Sequence, residues 1–306
     1  MHVVVIGGTR LTGPHVVRSL REAGHRVTVF HRGHDCRDAS HVHGDRANFP
    51  RDLHGDVVVD MWCMTEAHAC ATVEQFRDER LVVASSGDVY RNYDGFRGRY
   101  EGPPDPVPLR EDSPLRETRF PYRGARHAAG TEDFFNDYDK ISVEDVVRGP
   151  RTTILRFPAV YGPNDEQHRF AGWIETMDSG APVIRIDRRQ AEWRWTRGFS
   201  GNVADAVVLA ALNERAAGRT YNVGEIDGPR DAEWLRMLGD AVRYRGRIER
   251  ADDVPGTMPV NFAYDLFTDT TAIRSELGYH ERVSRNVALA QTVAWERAAT
   301  TKGGLR

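Results

Sequence analysis

The sequence predicts an α/β protein built on a doubly wound parallel sheet, and three observations support this prediction. Short valine-rich runs at 3–6, 57–59 and 81–84 lack polar alternation, which is typical of strands covered on both faces. Segments with apolar residues at helical spacing separate several of these runs. A glycine-rich turn at 7–13 follows the first run directly. Because strands alternate with helices along the chain, we expect parallel pairing with helices on both faces.

The first thirty residues form a predicted strand-turn-helix-strand unit. From Gly13 apolar residues recur at helical spacing as far as Leu20, and the pattern ends at Gly24. A second valine-containing strand follows at 26–30. In such a unit the first amides of the helix and its positive dipole end face the turn, where they can bind a phosphate. We therefore expect a Rossmann-type dinucleotide-binding site here.

The rest of the chain continues the alternation, apart from a long irregular stretch at 87–136. Further strands are predicted near 41–43 and at 56–60, 81–86, 152–157 and 221–224, and helices at 66–76, 137–147, 202–212, 231–242 and 287–298. We expect residues 1–165, together with 195–224, to form mainly the dinucleotide-binding domain. Residues 166–194 and 225–300 then form a smaller C-terminal substrate-binding lobe, and 301–306 a tail.

The composition argues against several classes of protein. Of the residues, 28% are charged, and no apolar stretch approaches the roughly 20 residues of a membrane span, so no membrane partner is expected. The net charge of −3 disfavours a general nucleic-acid surface. The three cysteines, Cys36, Cys63 and Cys70, cannot form a disulfide framework, and no leader-like segment precedes the first strand, so we expect a cytoplasmic protein. The expected partner is a small-molecule substrate, and a homodimer is left open.

Several motifs resemble the extended branch of the short-chain dehydrogenase/reductase superfamily, the NAD-dependent epimerase/dehydratase family. The turn matches the Gly-x-x-Gly-x-x-Gly fingerprint at Gly7 and Gly13, with Arg10 in place of the middle glycine. That departure is similar to a Gly-Gly-Thr-Arg subgroup that includes the chloroplast stem-loop binding proteins. Segments 82–90, 156–163, 194–205 and 221–225 extend the resemblance over nearly the whole chain. Together with the residues at the strand ends, it implies cofactor contacts at Gly7, Thr9, Arg10, Leu11, Thr12, Gly13, His31, Arg32, Asp45, Arg46, Lys140, Phe157, Pro158 and Val160.

The residues after the second strand bear on the type of cofactor. An NAD enzyme usually has a carboxylate there that binds the ribose 2′-hydroxyl, whereas an arginine accommodates the 2′-phosphate of NADP. Here the chain reads His31-Arg32, and Arg10 lies on the facing turn. The two guanidinium groups favour NADP over NAD. The resemblance places Asp45 beside the adenine, the alternative being an ordinary solvated turn carboxylate.

The resemblance also implies a catalytic serine, tyrosine and lysine. Ser86 takes the serine position, where its hydroxyl can donate to a substrate oxygen during hydride transfer. Lys140 fits the lysine that bonds the nicotinamide ribose and lowers the pKa of the tyrosine. The tyrosine is expected four residues earlier, but that position is Asn136. Tyr138 is two residues from Lys140, which on a regular helix directs it about 200° away.

Three alternatives remain for the proton donor. In the first, Tyr138 precedes the first regular helical turn and swings towards the nicotinamide. In the second, Tyr122 acts with Arg126 four residues later, although a nearby proline and glycine disfavour a helix there. In the third, the donor is another residue, such as His127 or His168, or the ordinary dehydrogenase step is absent.

Substrate contacts and metal binding complete the predicted site. The candidate substrate-binding residues are Tyr90, Tyr161, His168 and Arg197. In sugar-nucleotide epimerases an arginine at the position of Arg197 clamps a diphosphate, the alternative here being a surface arginine packed on Trp195. No metal is expected, because no zinc-ligand spacing is found in the cluster His31, His34, Cys36, His41 and His43.

These predictions converge on an NAD(P)-dependent oxidoreductase, or an epimerase or dehydratase, that acts by hydride transfer. Its substrate is an alcohol or carbonyl of a small molecule, sugar-derived or a nucleotide sugar. Because epimerisation and dehydration need the same transient oxidation, the sequence does not separate them from net reduction. The competing hypothesis is a nucleotide-binding protein that has lost the tyrosine and is either non-catalytic and RNA-associated or redox-neutral.

Overall fold

The computed structural model describes residues 1–33, 39–124 and 133–303, of which 133–134 and 301–303 are described by their backbone only. The strands are β1 His2–Ile6, β2 Arg26–His31, β3 Ser40–His43, β4 Val57–Asp60, β5 Arg80–Ser86, β6 Thr152–Phe157, β7 Ala159–Tyr161, β8 Val183–Asp187, β9 Arg197–Phe199, β10 Thr220–Asn222 and β11 Arg247–Ala251. The helices are α1 Gly13–Glu22, α2 Glu66–Gln75, α3 Arg91–Phe96, α4 Lys140–Val147, α5 Ala171–Asp178, α6 Arg188–Glu192, α7 Ser200–Leu212, α8 Asp231–Val242, α9 Thr271–Leu277 and α10 Arg285–Gly303.

Seven of these strands form one parallel sheet, as the sequence predicts. Their order is β10-β6-β5-β4-β1-β2-β3, so the chain first builds outwards from β1 and then returns to build the other side from β4. In the register Val3 lies opposite both Val27 and Val57. The fold is therefore the doubly wound, Rossmann-type α/β sheet, with its topological switch point between β1 and β4.

Helices cover both faces of this sheet, which explains the unalternating valine runs. On β1, Val3 and Val5 pack into the core shared with α1 and α7, whereas Val4 and Ile6 pack into the core on the side of α2 and α4. All four side chains are almost completely buried. Each such residue contributes about 1.5–3 kcal/mol relative to an exposed position.

The later elements build a second hydrophobic core. Helices α5, α8 and α10 surround the fully buried Trp234 beside the parallel pair β8–β11. The short strands β7 and β9 pair with each other next to the end of β6. In the part of the chain that the structure describes, no helix is long and apolar enough to span a membrane.

Three predictions about the positions of secondary-structure elements are wrong. Helix α4 begins at Lys140, not near Asp137, because Asp139 has extended backbone angles and its side chain caps the helix through the amide of Ile141. The stretch 87–136 contains a helix, α3, that the polar sequence did not suggest. Helix α10 continues to Gly303, so residues 301–303 are helical where a tail was expected.

Candidate active site

The carboxyl ends of β1, β4, β5 and β6 meet at one edge of the sheet. Ile6 lies opposite Asp60 across the switch point, and Ser86 at the end of β5 lies opposite Phe157 at the end of β6. Open α/β sheets bind ligands at this edge. The glycine turn, the residues after β4 and the residues after β5 therefore border one candidate site.

The glycine turn requires its outer glycines for two different reasons. Gly7 has a φ of +78°, and a Cβ on it would lie 2.7 Å from the Cβ of Trp62, the residue that follows β4 by two positions. A Cβ on Gly13 would lie 2.4 Å from the backbone carbon of Gly8. The turn is therefore folded tightly on itself, and its backbone can approach a ligand closely.

The amides that lack an acceptor at this turn are not those of the helix itself. In the first turn of α1, His15 and Val16 donate to the carbonyl of Thr12, and residue 14 is a proline without an N–H. The amides of Leu11 and Thr12 donate to no described residue, and Leu11 has a φ of +44°. The expectation that the first helical amides are free for a phosphate is therefore wrong. The turn amides that precede the helix, beside the positive end of the helix dipole, are the ones left for a ligand.

The predicted ribose-binding residues lie at the end of β2 and on the facing glycine turn, and the charges of Arg10 and Arg32 already have partners. Arg32 pairs with Asp45 at 3.5 Å, and Arg10 pairs with Glu166 at 2.9 Å across an exposed surface. His31 is buried, and its Nε2 lies 2.7 Å from Nδ1 of His41. The guanidinium groups of Arg10 and Arg32 thus border the turn, but each already faces a carboxylate.

Arg46 has a structural role instead of the predicted contact with the cofactor. Its guanidinium forms two hydrogen bonds to Asp60, at 2.9 and 3.1 Å, and donates to the carbonyl of Trp62 at 2.9 Å. Both side chains are buried, and the Arg46 charge holds the pKa of Asp60 below its ordinary value against the effect of desolvation. The neighbouring Asp45 caps the following turn by accepting from the amide of Ala47. This pair therefore fixes the backbone after β4.

Tyr138 and Lys140 reach the same side of the sheet edge although only one residue separates them. Tyr138 bridges to Thr65 as a strand residue, and Asp139 is extended, so residues 138 and 140 follow the two-residue period of a strand. The Lys140 Nζ donates to the carbonyls of Cys63 and Ala84, at 2.7 and 2.8 Å, and lies 5.9 Å from the centre of the Tyr138 ring. Burial lowers the pKa of Lys140. The helical geometry that separated these two side chains does not apply, because the helix begins at Lys140.

The Tyr138 hydroxyl lies among polar groups at the end of β5. It donates to Asp88 Oδ2 at 2.9 Å, and Tyr122 donates to the same oxygen at 3.2 Å. The Ser86 hydroxyl accepts from the amide of Asp88 at 3.2 Å and lies close enough to Tyr138 to lower the pKa of its phenol. Burial and the Asp88 carboxyl outweigh this effect and raise the pKa of Tyr138 well above 10. Serine, tyrosine and lysine thus converge on one edge of the sheet.

The segment after β6 borders the same edge from the other side. Pro158 packs between Gly198 and Gly224, each of which is too close to it for a Cβ to be added freely. The Val160 side chain is buried in the sheet core. The backbone of this segment and the partly buried Phe157 and Pro158 side chains are left for the predicted contact with the cofactor.

A protein-family model matches a region of the chain that contains most of these elements. Residues 44–224 match the model of the NAD dependent epimerase/dehydratase family. The chain belongs to this family. A 2′-dehydrokanamycin reductase from Streptomyces kanamyceticus is 28% identical over 244 residues, which is 71% of this chain and 60% of the relative. The chain therefore matches only about 60% of the length of that relative.

Solved structures share the fold at lower identity. A UDP-glucose-4-epimerase from Stenotrophomonas maltophila, solved with bound NAD and formylated UDP-arabinopyranose, is 18% identical with a TM-score of 0.73, covering 99% of both chains. A short-chain dehydrogenase/reductase superfamily protein from Agrobacterium tumefaciens with bound NAD is 18% identical with a TM-score of 0.68, covering 100% of both chains. These likenesses support the epimerase/dehydratase fold.

Two of the predicted substrate contacts are contradicted. Tyr90 is fully buried; its hydroxyl donates to Asn222 at 2.6 Å and accepts from Arg156 at 3.0 Å. Tyr161 is also fully buried, and its hydroxyl donates to Glu225 at 2.8 Å. Both tyrosines therefore stabilise the interior, because the hydrogen bonds that their hydroxyls form with described residues are all to buried groups.

The other predicted substrate contacts have protein partners. Arg197 is buried, bonds Asp231 at 2.6 Å and lies 4.9 Å above the Trp234 ring, so it is not a surface arginine packed on Trp195. Its Nη1 is buried without a hydrogen-bond partner among the described residues. His168 Nδ1 lies 2.6 Å from Glu296 Oε2, at the C-terminal helix. The Nη1 of Arg197 thus retains N–H groups that a ligand could use.

Some residues considered in the sequence analysis have no described position. Arg126, His127, His34 and Cys36 lie outside the described residues. Within the described ranges, no group of three or more His, Cys, Asp or Glu side chains could hold a metal ion.

Asp88 is the site residue that the sequence analysis did not single out. Its position two residues after Ser86 was the signal that could have identified it.

Proposed function

We propose that this protein is an NAD(P)-dependent reductase or epimerase that transfers hydride to or from a carbon of a small sugar-derived alcohol or ketone. The observation that carries the proposal is the convergence of Ser86, Tyr138 and Lys140 at the carboxyl edge, next to the glycine turn. Membership in the epimerase/dehydratase family supports it. On this proposal the elements after residue 165, apart from 195–224, form the substrate lobe.

Each of the three residues has a role that follows from its contacts. Ser86 accepts from the Asp88 amide, so its own proton is available for a substrate oxygen. Tyr138 gives or takes the proton of that oxygen. Lys140 is held by two main-chain carbonyls, which leaves one of its three protons for the nicotinamide ribose. A bound nicotinamide dinucleotide supplies the hydride or accepts it.

The turn amides of Leu11 and Thr12 then bind the pyrophosphate. The prediction of NADP depends on Arg10 and Arg32, which border the glycine turn but face Glu166 and Asp45. Both pairs are exposed and therefore weak, so a 2′-phosphate can compete for the guanidinium groups. We propose NADP as the preferred cofactor, while the related structures named above were solved with NAD.

The substrate is proposed to be a sugar ketone without a required diphosphate. Arg197 was the expected diphosphate ligand, but Asp231 already balances its charge in a buried setting. The reductase relative is named for a dehydro-aminoglycoside, which supports a sugar ketone. Nucleotide-linked ketones are the second class to test, because Arg197 Nη1 has no partner among the described residues.

The test is a panel of free and nucleotide-linked keto-sugars incubated with reduced cofactor. Deuterium at C4 of the nicotinamide should appear on the product carbon, and the S86A and Y138F variants should lose at least about a hundredfold in rate. A permanent loss of the reduced-nicotinamide absorbance indicates net reduction, whereas a transient change indicates epimerisation or dehydration. Full turnover by Y138F, or RNA retention without any turnover, contradicts the proposal.

A further inference from the structure

Asp88 is a buried carboxyl that forms no ion pair with any residue that the structure describes. Its Oδ2 is the shared partner of the Tyr138 and Tyr122 hydroxyls, at 2.9 and 3.2 Å. Its Oδ1 is buried and has no hydrogen-bond partner among the described residues. The side chain is 7% exposed. Such a group is costly to ionise unless a positive charge is bonded to it.

Among the described residues, the two cations whose charges act on the Asp88 carboxyl form their hydrogen bonds with other groups. Arg116 donates to the main-chain carbonyl of Asp88, not to the carboxyl, and its Nη2 bonds Asp139 at 2.6 Å. Lys140 donates to the carbonyls of Cys63 and Ala84. Both charges oppose the effect of burial on Asp88, but burial dominates and raises the pKa of its carboxyl.

The protonation state of Asp88 decides where the Tyr138 proton points. When Asp88 is a carboxylate, its Oδ2 accepts the hydrogen bond from the Tyr138 hydroxyl, so the phenolic proton points away from any substrate. When Asp88 is neutral, its Oδ2–H can donate to the Tyr138 oxygen, which turns the phenolic proton towards Ser86 and the open edge of the sheet. Only the neutral form leaves Tyr138 able to protonate a substrate oxygen without creating two adjacent negative charges.

We propose that Asp88 is a positioning residue that carries a proton at neutral pH and passes it to Tyr138 as Tyr138 protonates the substrate. This inference rests on the proposed role of Tyr138. As hydride reduces the carbonyl carbon, the Tyr138 O–H bond breaks and its proton bonds the substrate oxygen. The Asp88 Oδ2–H bond breaks in turn, and its proton restores the phenol.

Two tyrosine hydroxyls lie beyond Asp88 in the same hydrogen-bonded chain. Asp88 ends the step as a carboxylate, and Tyr122 lies within hydrogen-bond distance of its Oδ2. The Tyr122 hydroxyl lies 2.8 Å from that of Tyr93, and Tyr122 is only partly buried. Two hydroxyls thus continue the hydrogen-bonded chain from Asp88, through the partly buried Tyr122 to the buried Tyr93, and they are the path by which we expect Asp88 to regain its proton.

The first experiment measures the infrared spectrum of the full protein without substrate. The carboxylic-acid carbonyl band in wild type at neutral pH should disappear in Asp88→Asn, which keeps the size and an acceptor oxygen but cannot carry the proton. Absence of this band overturns the proposal whatever the activity, because Asp88 is then already a carboxylate.

The second experiment is the pH profile of kcat for carbonyl reduction. The described titratable or charged groups that face Asp88 are Tyr138, Tyr122, Tyr93, Arg116 and Lys140. Wild type should lose activity as pH rises through the raised Asp88 pKa, whereas D88N should be about a hundredfold slower and lack this limb. A limb that persists unchanged in D88N belongs to another group, such as Lys140, and overturns the role proposed for Asp88. An unchanged kcat and profile in D88N overturns the proposal.

Asp94→Asn is the matched control. Asp94 is also buried, and it accepts from the amide of Thr118 without bonding Tyr138 or Tyr122, so its variant should keep the wild-type profile. If D94N shifts the profile as D88N does, the effect is structural and the proposal fails. If no carbonyl compound is reduced at all, the proposed function fails and the transfer to substrate fails with it, while the infrared band still reports the Asp88 proton.

Discussion

Replacing Arg46 with methionine should cost stability rather than cofactor affinity. Arg46 supplies the only cation bonded to Asp60 among the described residues, and the Asp60 side chain is fully buried. After the replacement, Asp60 keeps hydrogen bonds from Thr72 and the amide of Trp62 but loses both bonds from the guanidinium. Removing one partner of a buried ion pair costs about 3–5 kcal/mol. That is a large share of the roughly 5–15 kcal/mol that stabilises a domain.

The measurement is urea unfolding of wild type and R46M, followed by tryptophan fluorescence at neutral pH. Arg188→Met is the control, because Arg188 pairs with Asp252 on the surface, where the side chains are 60% and 77% exposed, and its loss should cost less than about 1 kcal/mol. Adding Asp60→Asn to R46M removes the isolated charge and should restore part of the loss.

The pH dependence of this effect has a defined sign. Because Arg46 lowers the folded pKa of Asp60, the pair stabilises the fold fully above the ordinary pKa of about 3.9, and its contribution is lost as pH falls through the lowered value. The difference between wild type and R46M should therefore shrink at acid pH. A stability loss under about 1 kcal/mol, together with weaker nucleotide binding, refutes this reasoning and makes Arg46 a cofactor ligand.

Three further substitutions test neighbouring parts of the site. Gly13→Ala places a Cβ 2.4 Å from the backbone of Gly8 and should weaken nucleotide binding, measured by calorimetry, about tenfold or more. Gly172→Ala is the control, because its Cβ would meet nothing within 4 Å and nucleotide binding should stay unchanged. Equal affinities of the two variants would contradict the tight turn. Tyr90→Phe should lower the free energy of unfolding by about 1–3 kcal/mol without raising KM, and a change in KM alone would return Tyr90 to the substrate site. Arg32→Ala should weaken NADP about tenfold and NAD hardly at all, a preference that binding constants for both nucleotides will reveal.

The strands were predictable because their burial is visible in the sequence. Valine-rich runs buried on both faces leave no polar alternation, and β1, β4 and β5 accordingly lie within a residue of their predicted bounds. Helix α3 was not predictable, because its polar residues are buried through contacts remote in sequence. Asn92, for example, donates to the carbonyls of Asp105 and Asp265.

The start of α4, at the site itself, also depends on a contact that is remote in sequence and could not be predicted. The sequence contains a capping aspartate at 139, but whether a helix begins there depends on the pairing of Tyr138 with Thr65, 73 positions away. That contact makes residue 139 extended and brings Tyr138 to the side of Lys140. Regular helical spacing therefore indicated a separated pair, whereas the first alternative, in which Tyr138 precedes the helix, agrees with the structure.

The central claim is that the turn amides ahead of α1 hold a nicotinamide dinucleotide beside Tyr138 and Lys140. Isothermal titration calorimetry of the full protein with NADP and with NAD tests it most directly. We expect saturable one-to-one binding of at least one of them, tighter for NADP. Purified protein that carries no nucleotide from the cell and gives no binding heat with either one contradicts the claim.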